Sequence, residues 1–170
     1  RKGYASLGWF PQETGGTQVD GNTVFKEVAS TTYYAHWEEA TVFSVVVPAV
    51  LPVTVDQNGK VYVSNAEIVN HPTAAVQVSS VTLTAENGWT LVPYASDMSH
   101  AKVDSNQIGF KINSAQTSKT GSTEQLVLTS PWQINEEESL TLTYDAVVSA
   151  LSQPVTNANI LSVLFVVEWA

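Results

Sequence analysis

The segment Leu51-Pro-Val-Thr-Val-Asp-Gln-Asn-Gly-Lys-Val-Tyr-Val-Ser64 constrains the fold most tightly. Apolar and polar residues alternate on both sides of Asn58-Gly59, a pair that tolerates the positive φ angles of a tight turn. The segment therefore predicts a β-hairpin. The same period of two returns in Val76-Gln-Val-Ser-Ser-Val-Thr-Leu-Thr-Ala85, where the doubled polar position Ser79-Ser80 predicts a bulge. Asn87-Gly88 then predicts a turn into a strand over Trp89–Tyr94. Further strands are expected at Gln107–Asn113, Glu124–Leu128, Ser139–Ser149 and Ile160–Trp169. The last of these is apolar on both faces, the pattern of a central or interfacial strand. Ser96–Asn106 is polar and aperiodic, and reads as a loop or one short helical turn. Glu136-Glu137-Glu138 reads as a solvated turn before a strand.

Residues 40–170 thus hold eight to ten candidate strands spaced near ten residues, with prolines at strand ends where a missing N–H is tolerated. That spacing predicts an all-β fold, an antiparallel β-sandwich of the Ig-like or Greek-key type. A chain of 170 residues buries roughly two-thirds of its unfolded surface, enough for a core without metal or disulfide. It has no cysteine, which excludes disulfides, thiolate zinc sites and cysteine nucleophiles. Sixteen acids against seven bases give a net charge of −9. Nucleic acid, which demands clustered Lys and Arg, is not an expected partner. Anionic lipid is disfavoured on the same ground. No apolar run approaches the ~20 residues of a membrane-spanning helix.

A second pattern lies at the N-terminus: Gly3-Tyr4, Gly8-Trp9-Phe10, Glu13-Thr-Gly-Gly-Thr-Gln-Val19 and Thr31-Thr-Tyr-Tyr-Ala-His-Trp37. Over residues 3–37 this resembles the C-terminal half of an internalin-type B-repeat, a β-grasp-like module carried in tandem on bacterial surface proteins. The resemblance implies a secreted or cell-surface chain of a Gram-positive-type bacterium, with Trp9 and Trp37 packed inside the module. It divides the chain into a partial B-repeat-like module at 1–38 and a β-sandwich domain at 39–170. The chain opens at Arg1 and the pattern begins mid-repeat, so a piece of a larger protein is expected. A half-module exposes a sheet edge, and residues 3–37 are expected to pair with the sandwich or a neighbouring molecule.

Chemistry-bearing patterns are sparse. His36 and His71 read as a strand and a turn residue; Asp97, His100 and Asp104 form a cation site only if their loop folds back. No His pair at helical spacing supports a catalytic zinc, and no Gly-x-Ser-x-Gly elbow supports a nucleophilic serine. Asp56, Glu67, Glu86 and Asp145 are isolated carboxylates, and Asp56-Gln-Asn-Gly lacks the closing glutamate of a calcium loop. No catalytic residue, metal or cofactor is expected. An isopeptide bond needs a lysine buried on an apolar face. Neither Lys60 nor Lys111, the strand lysines considered, sits on one, although Asn65, Asn70 and Asn113 lie near strand ends.

Among the five tryptophans, Trp132 in Ser-Pro-Trp-Gln is the one expected in a loop and free of the core. Trp132, Tyr94 and His100 are the candidate ligand-facing residues. The expected function is non-enzymatic: an adhesin or a structural or stalk module, extracellular or at the cell surface. Its expected partner is a host or cell-wall protein or glycan, with self-association through the incomplete repeat. The alternative is a carbohydrate-binding module of a larger secreted protein, which two tryptophans exposed on one sheet face would favour.

Overall fold

The computed structural model describes residues 3–24, 30–39, 42–55, 61–71, 74–155 and 158–170. The strands are β1 (Tyr4–Phe10), β2 (Tyr34–Glu39), β3 (Val45–Val46), β4 (Val53–Val55), β5 (Val61–Val63), β6 (Ala66–Asn70), β7 (Val76–Ala85) and β8 (Thr90–Leu91). They continue with β9 (Gln107–Ile112), β10 (Ala115–Gln116), β11 (Thr123–Gln125), β12 (Trp132–Ile134), β13 (Ser139–Leu142), β14 (Tyr144–Val148) and β15 (Leu161–Trp169). The only helical element among the described residues is a 3-10 turn at Met98–His100. The chain is an all-β sandwich whose sheets are antiparallel apart from one short pair.

Two four-stranded sheets share one plan. Each has a long central strand with one partner along an edge and two short strands end to end on the other. In the first, β15 runs antiparallel along β7, and β11 and β12 flank the two ends of β7's far edge. In the second, β14 runs along β9, with β10 and β8 on the far edge. The inward side chains of both sheets form one cluster. Val76, Val78, Val81 and Leu83 of β7 meet Ile108, Phe110 and Ile112 of β9 there, nearly all fully buried. Each such side chain contributes about 1.5–3 kcal/mol.

The expected bulge is present. Val166 pairs with Ser80 but Val167 pairs with Val78, so Ser79 is the extra residue on β7. The expected hairpin strands β4 and β5 also pair antiparallel, Val53 opposite Val63 and Val55 opposite Val61. Their turn, with Asp56, Asn58-Gly59 and Lys60, lies outside the described residues, as do Ala40 at the expected domain boundary and Pro72 after His71. Asn87 and Gly88 both adopt positive φ, 51° and 81°, and the Asn87 amide donates to the Asn159 carbonyl at 2.6 Å.

Two expectations are corrected, and two others each lose one of their alternatives. The strand expected at Trp89–Tyr94 contracts to Thr90–Leu91 and runs parallel to β9. The cause lies beyond it: Thr117, fully buried, donates from its hydroxyl to the Val92 carbonyl at 2.7 Å and accepts the Phe110 N–H at 3.0 Å. Those side-chain bonds replace ladder bonds. The strand expected over Ser139–Ser149 divides at Thr143, where its partner changes from β6 to β9. Asn113, held at φ 48°, pins the crossing: its side-chain oxygen accepts the Thr143 N–H at 2.9 Å and hydroxyl at 3.1 Å, while its own N–H donates to the Thr143 carbonyl. The last strand, β15, is not central: among the described residues β7 alone pairs with it, at a sheet edge. Finally, β1 and β2 pair with each other as a two-stranded ribbon and join no sandwich sheet among the described residues.

Buried polar groups tie the loops down. Asn70 donates to the carbonyls of Ala74 and Asn135, both at 2.9 Å, and joins β6 to the turn before β13. Glu124 accepts from the Ser118 N–H at 3.0 Å and hydroxyl at 2.7 Å and closes the loop after β10. Gly109 is a close-approach position: a Cβ there would lie 2.8 Å from both the Tyr94 Cα and a Val147 methyl. Gly109→Ala is expected to cost about 1–3 kcal/mol, as other overpacked cores do. Gly21→Ala, with no atom within 4 Å of the new Cβ, should change stability by less than about 0.5 kcal/mol. Thermal unfolding of the two variants checks this.

Candidate functional site

The three candidate ligand-facing residues lie in different places. Trp132 is not in a loop. It opens β12 opposite Val78, half-buried and packed against the core, with its indole N–H buried and unpaired among the described residues. The expectation that it stands free is therefore corrected: pairing with β7 turns its ring inward. His100 is exposed at the end of the 3-10 turn, Nδ1 3.4 Å from Asp97 and 2.9 Å from the Ser99 hydroxyl. Asp97 accepts the Ser99 N–H and caps that turn. Asp104 instead binds the Ser152 N–H at 2.8 Å and hydroxyl at 2.7 Å. The loop does not bring Asp97, His100 and Asp104 together, and no such metal-holding cluster occurs among the described residues. Hydrogen bonds hold both carboxyls below the usual aspartate value, chiefly those from Ser99 to Asp97 and from the Ser152 N–H to Asp104.

Tyr94 does belong to a built cluster. Its hydroxyl donates to Asp145 at 2.6 Å. Asp145 on β14 sits directly opposite Lys111 on β9, and the Lys111 ammonium lies 5.9 Å from the centre of the Tyr94 ring. With Asn113 and Thr143 these groups line an open cleft of about 230 Å³ on the outer face of the second sheet. Lys111 and Asp145 point outward because strand alternation puts their neighbours Phe110, Ile112, Tyr144 and Ala146 inward. The lysine is thus partly solvated and beside a carboxylate, not buried on the apolar face that isopeptide chemistry needs.

The tryptophans reverse the expected order. Trp9 is 58% exposed and Trp37 39%, whereas Trp89 is buried and Trp169 half-buried. The packing role implied for Trp9 and Trp37 is corrected. The ribbon register explains their joint exposure: Trp9 faces Ala35, so Ala35 and Trp37, two residues apart, share its face. The opposite face carries Phe10 stacked on His36 at 4.1 Å, and the His36 ring is fixed by the Gln12 carbonyl, 2.9 Å from Nε2. Leu7, Glu13, Thr14, His36 and Trp37 line an open cleft of about 360 Å³ beside this ribbon. A two-stranded ribbon has too little surface to bury five large aromatics, Tyr4, Trp9, Phe10, Tyr34 and Trp37; their crowding on two strands is the signal in the sequence for the exposed pair.

Tyr94 is the sharper pH probe. The hydrogen bond to Asp145, then partial burial, then the aspartate's charge push its phenol above the usual 10.0. A raised folded-state value gives stability that is full below the unfolded tyrosine's pKa and fades as pH rises through the folded one. Ultraviolet titration should therefore show Tyr94 among the last phenols to ionise, and Tyr94→Phe should remove one tyrosine's amplitude from that late phase. Intact-mass measurement should give the unshifted sum of the residues, with no ammonia or water lost at Lys111. In comparison with known proteins, no family model, no curated protein and no solved structure matches the chain.

Proposed function

We propose that this chain is a non-enzymatic module of a secreted or cell-surface protein from a Gram-positive-type bacterium, acting as an adhesin or structural module. The observation that carries the reading is the pair of tryptophans, Trp9 and Trp37, held exposed on one face of a ribbon. Exposed indoles are costly to keep in water and are over-represented where one protein surface meets another molecule. The resemblance of residues 3–37 to an internalin-type B-repeat, itself a surface module, supports the address. The acidic surface agrees with a partner that is neither nucleic acid nor anionic lipid. On this reading the binding partner is a host or cell-wall protein, and the sandwich is the scaffold.

The same pair favours one second reading, a carbohydrate-binding module, because two indoles on one face offer the flat surface on which sugar rings stack. The two readings part on the ligand. The chain would be applied to a glycan array and to immobilised extracellular and cell-wall proteins, alongside Trp9→Ala and Trp37→Ala variants. The first reading expects protein capture, weakened at least tenfold by either substitution, with the melting of the sandwich unchanged because neither ring belongs to its core. Glycan capture weakened by the same substitutions would establish the second reading. Capture insensitive to both substitutions would overturn the role given to the ribbon.

A further inference from the structure

Among the described residues β15 forms one edge of the first sandwich sheet, and the burial along it differs from that of its neighbour. On β7 the four inward residues Val76, Val78, Val81 and Leu83 have no exposed surface at all. On β15 the inward residues Leu161, Val163, Phe165, Val167 and Trp169 all pack against the same core, yet each remains only partly covered. The core is therefore open along this edge. The outward face adds Leu164, 62% exposed, and Val166, 44% exposed. Their neighbours on β7, Thr82 and Ser80, are polar, so the apolar surface of this sheet's outer face is concentrated on its edge strand. A long apolar edge without proline, lysine or a bulge on its free side is a template for another strand.

We infer that this edge is covered by a second copy of the chain, β15 pairing antiparallel with β15 across a two-fold axis at Leu164. The strand's own sequence argues for that occupant. In this register Leu164 meets Leu164 and Ser162 meets Val166 on the outer face, while Val163 meets Phe165 and Leu161 meets Val167 on the inner one. Apolar side chains meet apolar ones at every inward position. The one charge on the strand, Glu168, falls outside the paired stretch and is held by the Gln77 amide at 3.0 Å, so two acidic chains bring no like charges together at the seam. Phe43, edge-on to Trp169 at 5.0 Å, sits at the strand's far end, also beyond the paired residues. The two first sheets would become one continuous sheet through an isologous contact.

The test is the oligomeric state of the 170-residue chain by sedimentation equilibrium. The wild type is expected at twice the monomer mass with a melting temperature that rises with protein concentration, and Leu164→Lys at the monomer mass with unchanged circular dichroism and a melting temperature independent of concentration. Val127→Lys, at an 81% exposed position away from this edge, should remain dimeric. The chain has no cysteine, so Leu164→Cys provides an independent reading: under mild oxidation it should form a covalent dimer much faster than Val127→Cys. A monomeric wild type, a dimer that survives Leu164→Lys, or equal cross-linking at the two positions would each overturn the inference.

Discussion

Val76, Val78, Val81 and Leu83 all reach the interior because Ser79 stands unpaired on β7. Alternation alone would send Val81 and Leu83 to the opposite face from Val76 and Val78, since Val81 follows Val78 by an odd step of three positions. The extra residue restores the phase, and both halves of the strand contribute to one core. Much else depends on this local irregularity. β11 pairs with the half of β7 after the bulge and β12 with the half before it. Both bring buried residues, Glu124 and Ile134, to places set by that phase. The ribbon β1–β2 has its own irregularity at Leu7, but no comparable core depends on it.

Local chemistry made much of this legible. Period-two runs placed the strands, Asn-Gly placed a turn with both residues at positive φ, and two adjacent serines in an otherwise alternating run marked the bulge. What was not legible depends on partners distant in the chain. The early end of β8 follows from Thr117 satisfying the Val92 carbonyl twenty-five residues away. The division at Thr143 follows from Asn113, thirty residues earlier. Neither contact leaves a mark in the residues it redirects.

The candidate site was less legible than the fold, for a related reason. Whether a tryptophan is exposed is decided by what covers it rather than by its neighbours in sequence. Trp132 follows a proline and has loop-like surroundings, yet β7 takes it into the sheet. Trp9 and Trp37 lie in alternating strands that look ready for packing, yet stay exposed in a ribbon of two strands. The Tyr94, Lys111 and Asp145 cluster needed register as well as periodicity, because only the pairing of β9 with β14 puts the lysine opposite the aspartate.

The unbroken chain through Thr143 has one more consequence. Leu142 and Tyr144 are both buried in the shared core, one in a strand paired to β6 and the next in a strand paired to β9. The two pairings are therefore joined by a single residue, Thr143, with little slack between them. Neither can fray without pulling the other out of register, so the slowest-exchanging amide protons of β6 and β9 belong to one cooperative unit that opens as a whole.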